Sequence, residues 1–161
     1  MSELDFQVPD LVKEFEGWRW WRIEPDGIGR PRLGSVSYSY HWKPRLKAAA
    51  SCLSCGASLP RLNCTCGFYT ARSLEHLLGL GYRAQGENPD VLGQVANWGK
   101  IVECDQGWRS QFAYPVQLWV PARAWRWVKP LTEEYGVPVR LLRDLDLDAK
   151  WRAELDDWMR R

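Results

Sequence analysis

Histidine is scarce in this chain, with two in 161 residues, and long apolar runs are missing altogether. No stretch approaches the ~18 apolar residues of a membrane-spanning helix, so no membrane partner is expected. The opening Met1-Ser2-Glu3-Leu4-Asp5-Phe6 has neither the basic start nor the apolar stretch of a secretory signal. The expected location is therefore the cytoplasm. A charge excess is also lacking: 22 Lys and Arg face 20 Asp and Glu, a net +2. So weak a field does not predict non-specific attachment to a polyanion. There is no Gly-rich phosphate loop, no dinucleotide fingerprint, no G-x-S-x-G elbow and no H-E-x-x-H. Two histidines in different regions supply no evident general base. Binding is expected rather than catalysis. Internal repeats and Gly- or Ser-rich linkers are absent too, so residues 1–161 are expected to form one domain. A chain of this length buries enough surface to fold without disulfides.

Cysteine and tryptophan are what the chain does have. Four of its five cysteines fall together: Cys52-Leu53-Ser54-Cys55-Gly56, then Cys64-Thr65-Cys66-Gly67. In a reducing compartment clustered cysteine points to a metal more than to disulfides. Zinc takes four ligands in a tetrahedron, and Cys₄ is a common structural set. Each pair can converge on one ion from a tight turn, and the Gly after it can take the positive φ such a turn requires. The predicted ligands are Cys52, Cys55, Cys64 and Cys66, and the predicted cofactor is structural zinc, because four thiolates leave no open position for water. An iron–sulfur centre and a set of buried thiols without metal are the alternatives. His41 and His76 are left out of the ligand set. Residues 43–71 then form a cysteine-rich zinc-binding insert. Cys104, alone in an expected strand, reads as a small apolar residue.

The remaining chain reads as mostly β. Pro9 to Glu16 is expected to be a short helix, with Leu11, Val12 and Phe15 as its apolar stripe. Trp18 to Ile23 and Leu33 to Trp42 read as strands paired through a long loop, the second from its alternation of Ser with Val and Tyr. Ser73 to Tyr82 reads as a helix capped by Ser73. Val91–Glu103 and Trp108–Tyr114 are expected to pair antiparallel across Asp105-Gln106-Gly107. Leu118–Val120 and Val137–Leu142 read as further extended pieces, with a helical turn at Leu131–Tyr135. Leu147, Trp151, Leu155 and Trp158 mark one face of a C-terminal helix. The fold class is α+β: a bent, mostly antiparallel sheet or partial barrel with a zinc-pinned loop and a C-terminal amphipathic helix.

Tryptophan occurs 11 times, and Trp18, Trp21, Trp108, Trp125 and Trp151 each precede an Arg. In strands this pattern places Trp inside and Arg outside. The stretch between Pro121 and Pro130 is different, because prolines bracket it and its tryptophans lack a periodic partner. Arg123, Trp125, Arg126, Trp127 and Lys129 are therefore expected to form an exposed partner-binding patch, for a protein or a nucleic acid. The favoured function is a cytoplasmic zinc-stabilised interaction module. The alternatives are a nucleic-acid binder using Arg and Trp stacking, and an enzyme or small-ligand binder with a pocket near Glu103 and Arg109.

Two segments carry a resemblance. Residues 64–71, CTCGFYTA, match a C-x-C-G-I/F-Y-A pattern. Residues 91–115 match V-x-G-x-V-x-x-W-G-x-V-V-E, then G-W-R-A/S, then A-Y-P. Together they resemble small uncharacterised proteins of actinobacteria and their phages. The resemblance implies a source, possible phage encoding included, and no mechanism.

Overall fold

The computed structural model describes residues 15–36, 39–80 and 88–160. The helix expected at 9–16 lies, but for its last two residues, outside them, as does the end of the one expected at 73–82. In chain order the strands are β1 (Gly17–Ile23), β2 (Leu33–Ser35), β3 (His41–Trp42), β4 (Ala48–Ala49), β5 (Phe68–Ala71), β6 (Asp90–Cys104), β7 (Gly107–Val120) and β8 (Val139–Leu141). The helices are α1 (Leu74–Gly79), α2 (Val128–Tyr135) and α3 (Ala149–Arg160). The described residues thus form an α+β fold whose sheet is bent, mostly antiparallel and not closed into a barrel. No helix among them is long and apolar enough to cross a membrane.

The β6–β7 ribbon is the spine. Cys104 lies opposite Gly107, so Asp105 and Gln106 close the turn. The pairing runs from there through Pro115 to Trp119 opposite Leu92, so the extended piece expected at 118–120 is part of β7. Register shifts at Gln94/Val95 and Trp98/Ile101 bend the ribbon. The second shift holds Gly99 at φ +74°, a conformation that costs glycine nothing. β1 pairs with β6 and with β2, β5 and β4 pair with β7, and β8 adds the one parallel neighbour among the described residues.

Leu33–Trp42 is not one strand. Its ends form β2 and β3, which pair with each other, Leu33 opposite Trp42. A distant side chain straddles that pair: the Tyr135 hydroxyl accepts from the Leu33 amide at 2.8 Å and donates to the Trp42 carbonyl at 2.6 Å. The alternation of Ser with Tyr carries no record of that clamp.

Both faces of the sheet are covered. Trp21, Ile23, Leu33, Trp42, Val95 and Leu131 belong to one core, and Trp20, Leu77, Leu92, Trp119, Leu155 and Trp158 to the other. Adjacent residues Trp20 and Trp21 therefore enter opposite cores, and neither reaches solvent. Trp20 stacks on Trp158 with ring centroids 4.3 Å apart, which fixes α3 against β1. Asp148 caps α3, accepting from the Trp151 amide at 3.0 Å. The expected stripe on α3 holds at Leu155 and Trp158, both buried, with Trp151 half-buried.

Candidate metal centre

Cys52 and Cys55 lie on a turn between β4 and β5, and Cys64 and Cys66 precede β5 directly. The two turns close by short-range bonds. The Gly56 amide donates to Cys52 O at 2.9 Å, Ser58 to Cys55 O at 3.1 Å, and Cys64 to Arg61 O at 3.2 Å. Gly56 has φ +55° and Gly67 φ +102°, the left-handed geometry expected after each cysteine pair. At Gly67 space is short as well, since a Cβ there would stand 3.1 Å from Ser110 O and 3.3 Å from Pro60. Larger residues are excluded at the point where the loop enters the sheet.

The four sulfurs all lie within 4.8 Å of one another. Cys52 Sγ is 3.7 Å from Cys64 Sγ, and Cys55 Sγ is 3.6 Å from Cys66 Sγ. A tetrahedron with metal–sulfur bonds of ~2.3 Å has edges of ~3.8 Å. These contacts are far too long for disulfides, and all five cysteines are free thiols. The cluster can therefore hold a metal ion. His41 and His76 are elsewhere: His41 pairs with Glu24, and His76 closes on Ser73 at the start of α1. Ser73 itself caps α1, as expected.

The thiols are electrostatically unequal. Desolvation, then the Cys66, Cys64 and Cys52 thiols, pushes Cys55 up to about 12. The Cys66 amide, then neighbouring thiols, draws Cys64 down to about 7. Crowded thiols resist sharing negative charge, and a divalent cation removes that resistance because every ligand then binds as thiolate.

Cations outside the ligand set hold the loop. Arg109 on β7 is buried and donates Nη1 to Cys66 O at 2.7 Å and Nη2 to Arg61 O at 3.0 Å. Lys100 Nζ donates to Ser58 O at 2.8 Å. Four thiolates around a divalent ion carry a double negative charge, which these cations offset. Sequence reasoning gave Arg109 another role, beside Glu103 in a pocket. The structure separates the two: Glu103 is exposed and pairs with Arg72 at 3.0 Å, while Arg109 turns to the cysteine loop. Consecutive strand positions explain this, because Glu103 faces Trp108 and Arg109 faces Val102 across the ribbon. A cavity of about 520 Å³ does open nearby, walled by Trp18, Tyr69, Leu77 and Trp108, but neither Glu103 nor Arg109 lines it.

The expected Trp-in, Arg-out arrangement is reversed at two sites. Trp18 and Trp108 are half-buried, whereas Arg19 and Arg109 are buried. Arg19 Nη1 donates to Tyr69 O at 2.7 Å, Nη2 to Ser35 Oγ at 3.1 Å, and its guanidinium lies 5.2 Å from the centre of the Trp42 ring. Arg19 thus bonds β5 and β2, and Arg109 the cysteine loop, segments that sequence neighbours cannot reach.

The stretch between the prolines is a 3-10 turn, Ala122–Trp127, leading into α2. Pro130 sits in the first turn of α2, where its missing amide costs nothing. Trp125 is 69 % exposed, and Arg123, Arg126 and Lys129 are exposed. Trp127 is half-buried and packs on the core, with Arg126 over its ring at 5.9 Å. Lys129 reaches Glu133 at 3.8 Å. Comparison of the chain with protein-family models, curated proteins and solved structures returned no match.

Proposed function

We propose that the chain is a zinc-stabilised binding module of a reducing, cytoplasmic compartment. The observation that carries this is the near-tetrahedral spacing of four free cysteine sulfurs. Four thiolates fill the coordination sphere of zinc, so the ion serves the fold, joining the 43–71 loop to itself, while Arg109 ties that loop to β7. The exposed Trp125, with Arg123, Arg126 and Lys129 beside it, supplies a contact surface. Trp127 contributes from below as core.

Native mass spectrometry and thermal melting test the metal. The wild type is expected to retain one zinc per chain, and Cys64→Ser/Cys66→Ser is expected to lose it and melt earlier. A double variant with unchanged melting, beside a wild type without metal, contradicts the proposal.

A further inference from the structure

The charge that is balanced over the whole chain is unbalanced around the cysteine loop. No Asp or Glu occurs between Asp26 and Glu75, while seven Lys and Arg do. Five exposed cations lie on or beside the loop: Lys43, Arg45, Lys47, Arg61 and Lys100. None of the five makes an ion pair with a carboxylate among the described residues.

Arg61, Lys100, Lys47 and Arg45 are each anchored on or next to the loop. Arg61 Nη2 reaches Cys55 O at 3.5 Å, and Lys100 Nζ reaches Ser58 O, three residues along the same turn. The Lys100 amide donates to Gln111 Oε1 at 3.1 Å. The next residue, Phe112, carries the Lys47 ammonium 4.1 Å from its ring centre. Arg45 and Lys43 lie on the segment before β4. Arg45 is fixed there by its amide bond to Tyr114 Oη and by Nη2 on Glu133 O. Among the described residues β4 pairs with β7 alone, so the segment that carries Lys43, Arg45 and Lys47 leads into a sheet edge. Beside it, between β4 and the Cys66 turn, is a cleft of about 310 Å³ lined by Tyr40, Ala49, Thr65 and Tyr69. Tyr69 is 47 % exposed, and the Arg109 guanidinium lies 5.9 Å from the centre of its ring.

We propose that these cations form the docking site of a single-stranded nucleic acid, its phosphates on Lys43, Arg45, Lys47, Arg61 and Lys100 and a base against Tyr69. The inference rests on the metal-stabilised module and names its partner. A group of exposed cations without an ion pair to a carboxylate among the described residues suits the phosphates of a polyanion. An exposed aromatic ring in an adjoining cleft gives an unpaired base a stacking surface, which duplex bases cannot reach.

The test uses the metal-loaded full chain and fluorescein-labelled dT₂₀, read by anisotropy between 50 and 300 mM salt, conditions chosen to resolve counterion release. With five phosphate contacts, log K against log salt is expected to slope at about −3.5. Lys43→Gln/Lys47→Gln touches neither the cysteines nor the loop carbonyls, so its zinc content is expected to stay at the wild-type value. It is expected to flatten the slope by about 1.4 and weaken binding at 50 mM roughly 60-fold. Tyr69→Leu is expected to weaken binding with the slope unchanged. Lys150→Gln, on α3, is expected to change neither. The proposal is overturned if the double variant binds like the wild type. It is also overturned if a 20-base-pair duplex binds more tightly than dT₂₀, or if poly-glutamate of equal charge competes as well as dT₂₀. Zinc-loaded wild type that ignores dT₂₀ overturns this docking site and leaves the metal reading standing. Protein lacking zinc overturns the metal reading instead.

Discussion

Arg109→Met is the perturbation that asks most sharply whether the cysteine loop is held by the sheet. The substitution keeps a long apolar stem in a site where Arg109 is 4 % exposed, so no large void opens. What it removes is the guanidinium fork on Cys66 O and Arg61 O, at 2.7 and 3.0 Å. A hydrogen bond to a charged group contributes about 1.5–3 kcal/mol. Both carbonyls belong to a loop that water can approach, so the lower end applies and the pair should contribute about 3 kcal/mol. For a chain of this size that lowers Tm by about 6–12 °C. Zinc affinity should fall as well, because Cys66 loses the partner that orients its backbone, and such supporting contacts typically alter metal affinity by 10–100-fold. Arg109→Lys retains charge but not the fork, and is expected to fall between the two. Denaturation followed by tryptophan fluorescence gives the stability, and competition with a chromophoric chelator gives the affinity. An Arg109→Met protein with wild-type values for both refutes the reasoning that the loop is clamped from β7.

Asp90 supplies a pH prediction. It is fully buried, neither carboxylate oxygen has a hydrogen-bond partner among the described residues, and desolvation raises it to about 6 despite Arg22 and Arg123. The folded state therefore holds the proton more tightly than the unfolded one, so its contribution is full below pH 4 and is lost as pH rises through 6, by about 3 kcal/mol. Asp90→Asn should remove that slope, and urea titrations at pH 4 and pH 7 check it: an equal variant-minus-wild-type difference at both pH values counts against it. Trp158→Ala should cost about 3–5 kcal/mol, as it vacates the stack on Trp20, whereas Trp125→Ala should stay within about 0.5 kcal/mol. Chemical denaturation distinguishes them, and comparable losses would contradict the burial assigned to the two rings.

What could be read from the chain alone was local. Cys52, Cys55, Cys64 and Cys66 are close in sequence, and the glycines after each pair signal the turns that gather them. Leu155 and Trp158 declare a helix face by spacing, and the β6–β7 ribbon is marked by two apolar runs about a turn. What stayed hidden depends on distant pairing. Tyr135 acts on Leu33 from 102 positions away, which is why the run 33–42 reads as one strand and folds as two. Arg109 meets Cys66 only because β5 pairs with β7 in a register that sets Tyr69 opposite Arg109. Alternation in β1 could place Trp20 and Trp21 on opposite faces but could not reveal that α1 and α3 cover the second face. The burial of Arg19 follows from carbonyl and hydroxyl acceptors on two other segments, and no residue next to it hints at them.

X-ray absorption at the zinc edge of the purified protein reads the ligands of the proposed four-sulfur centre. The expected spectrum is that of one zinc per chain with four sulfur neighbours at about 2.3 Å and no nitrogen or oxygen in the same shell. A spectrum requiring nitrogen or oxygen ligands, or protein carrying no zinc when purified under reducing conditions, would contradict it.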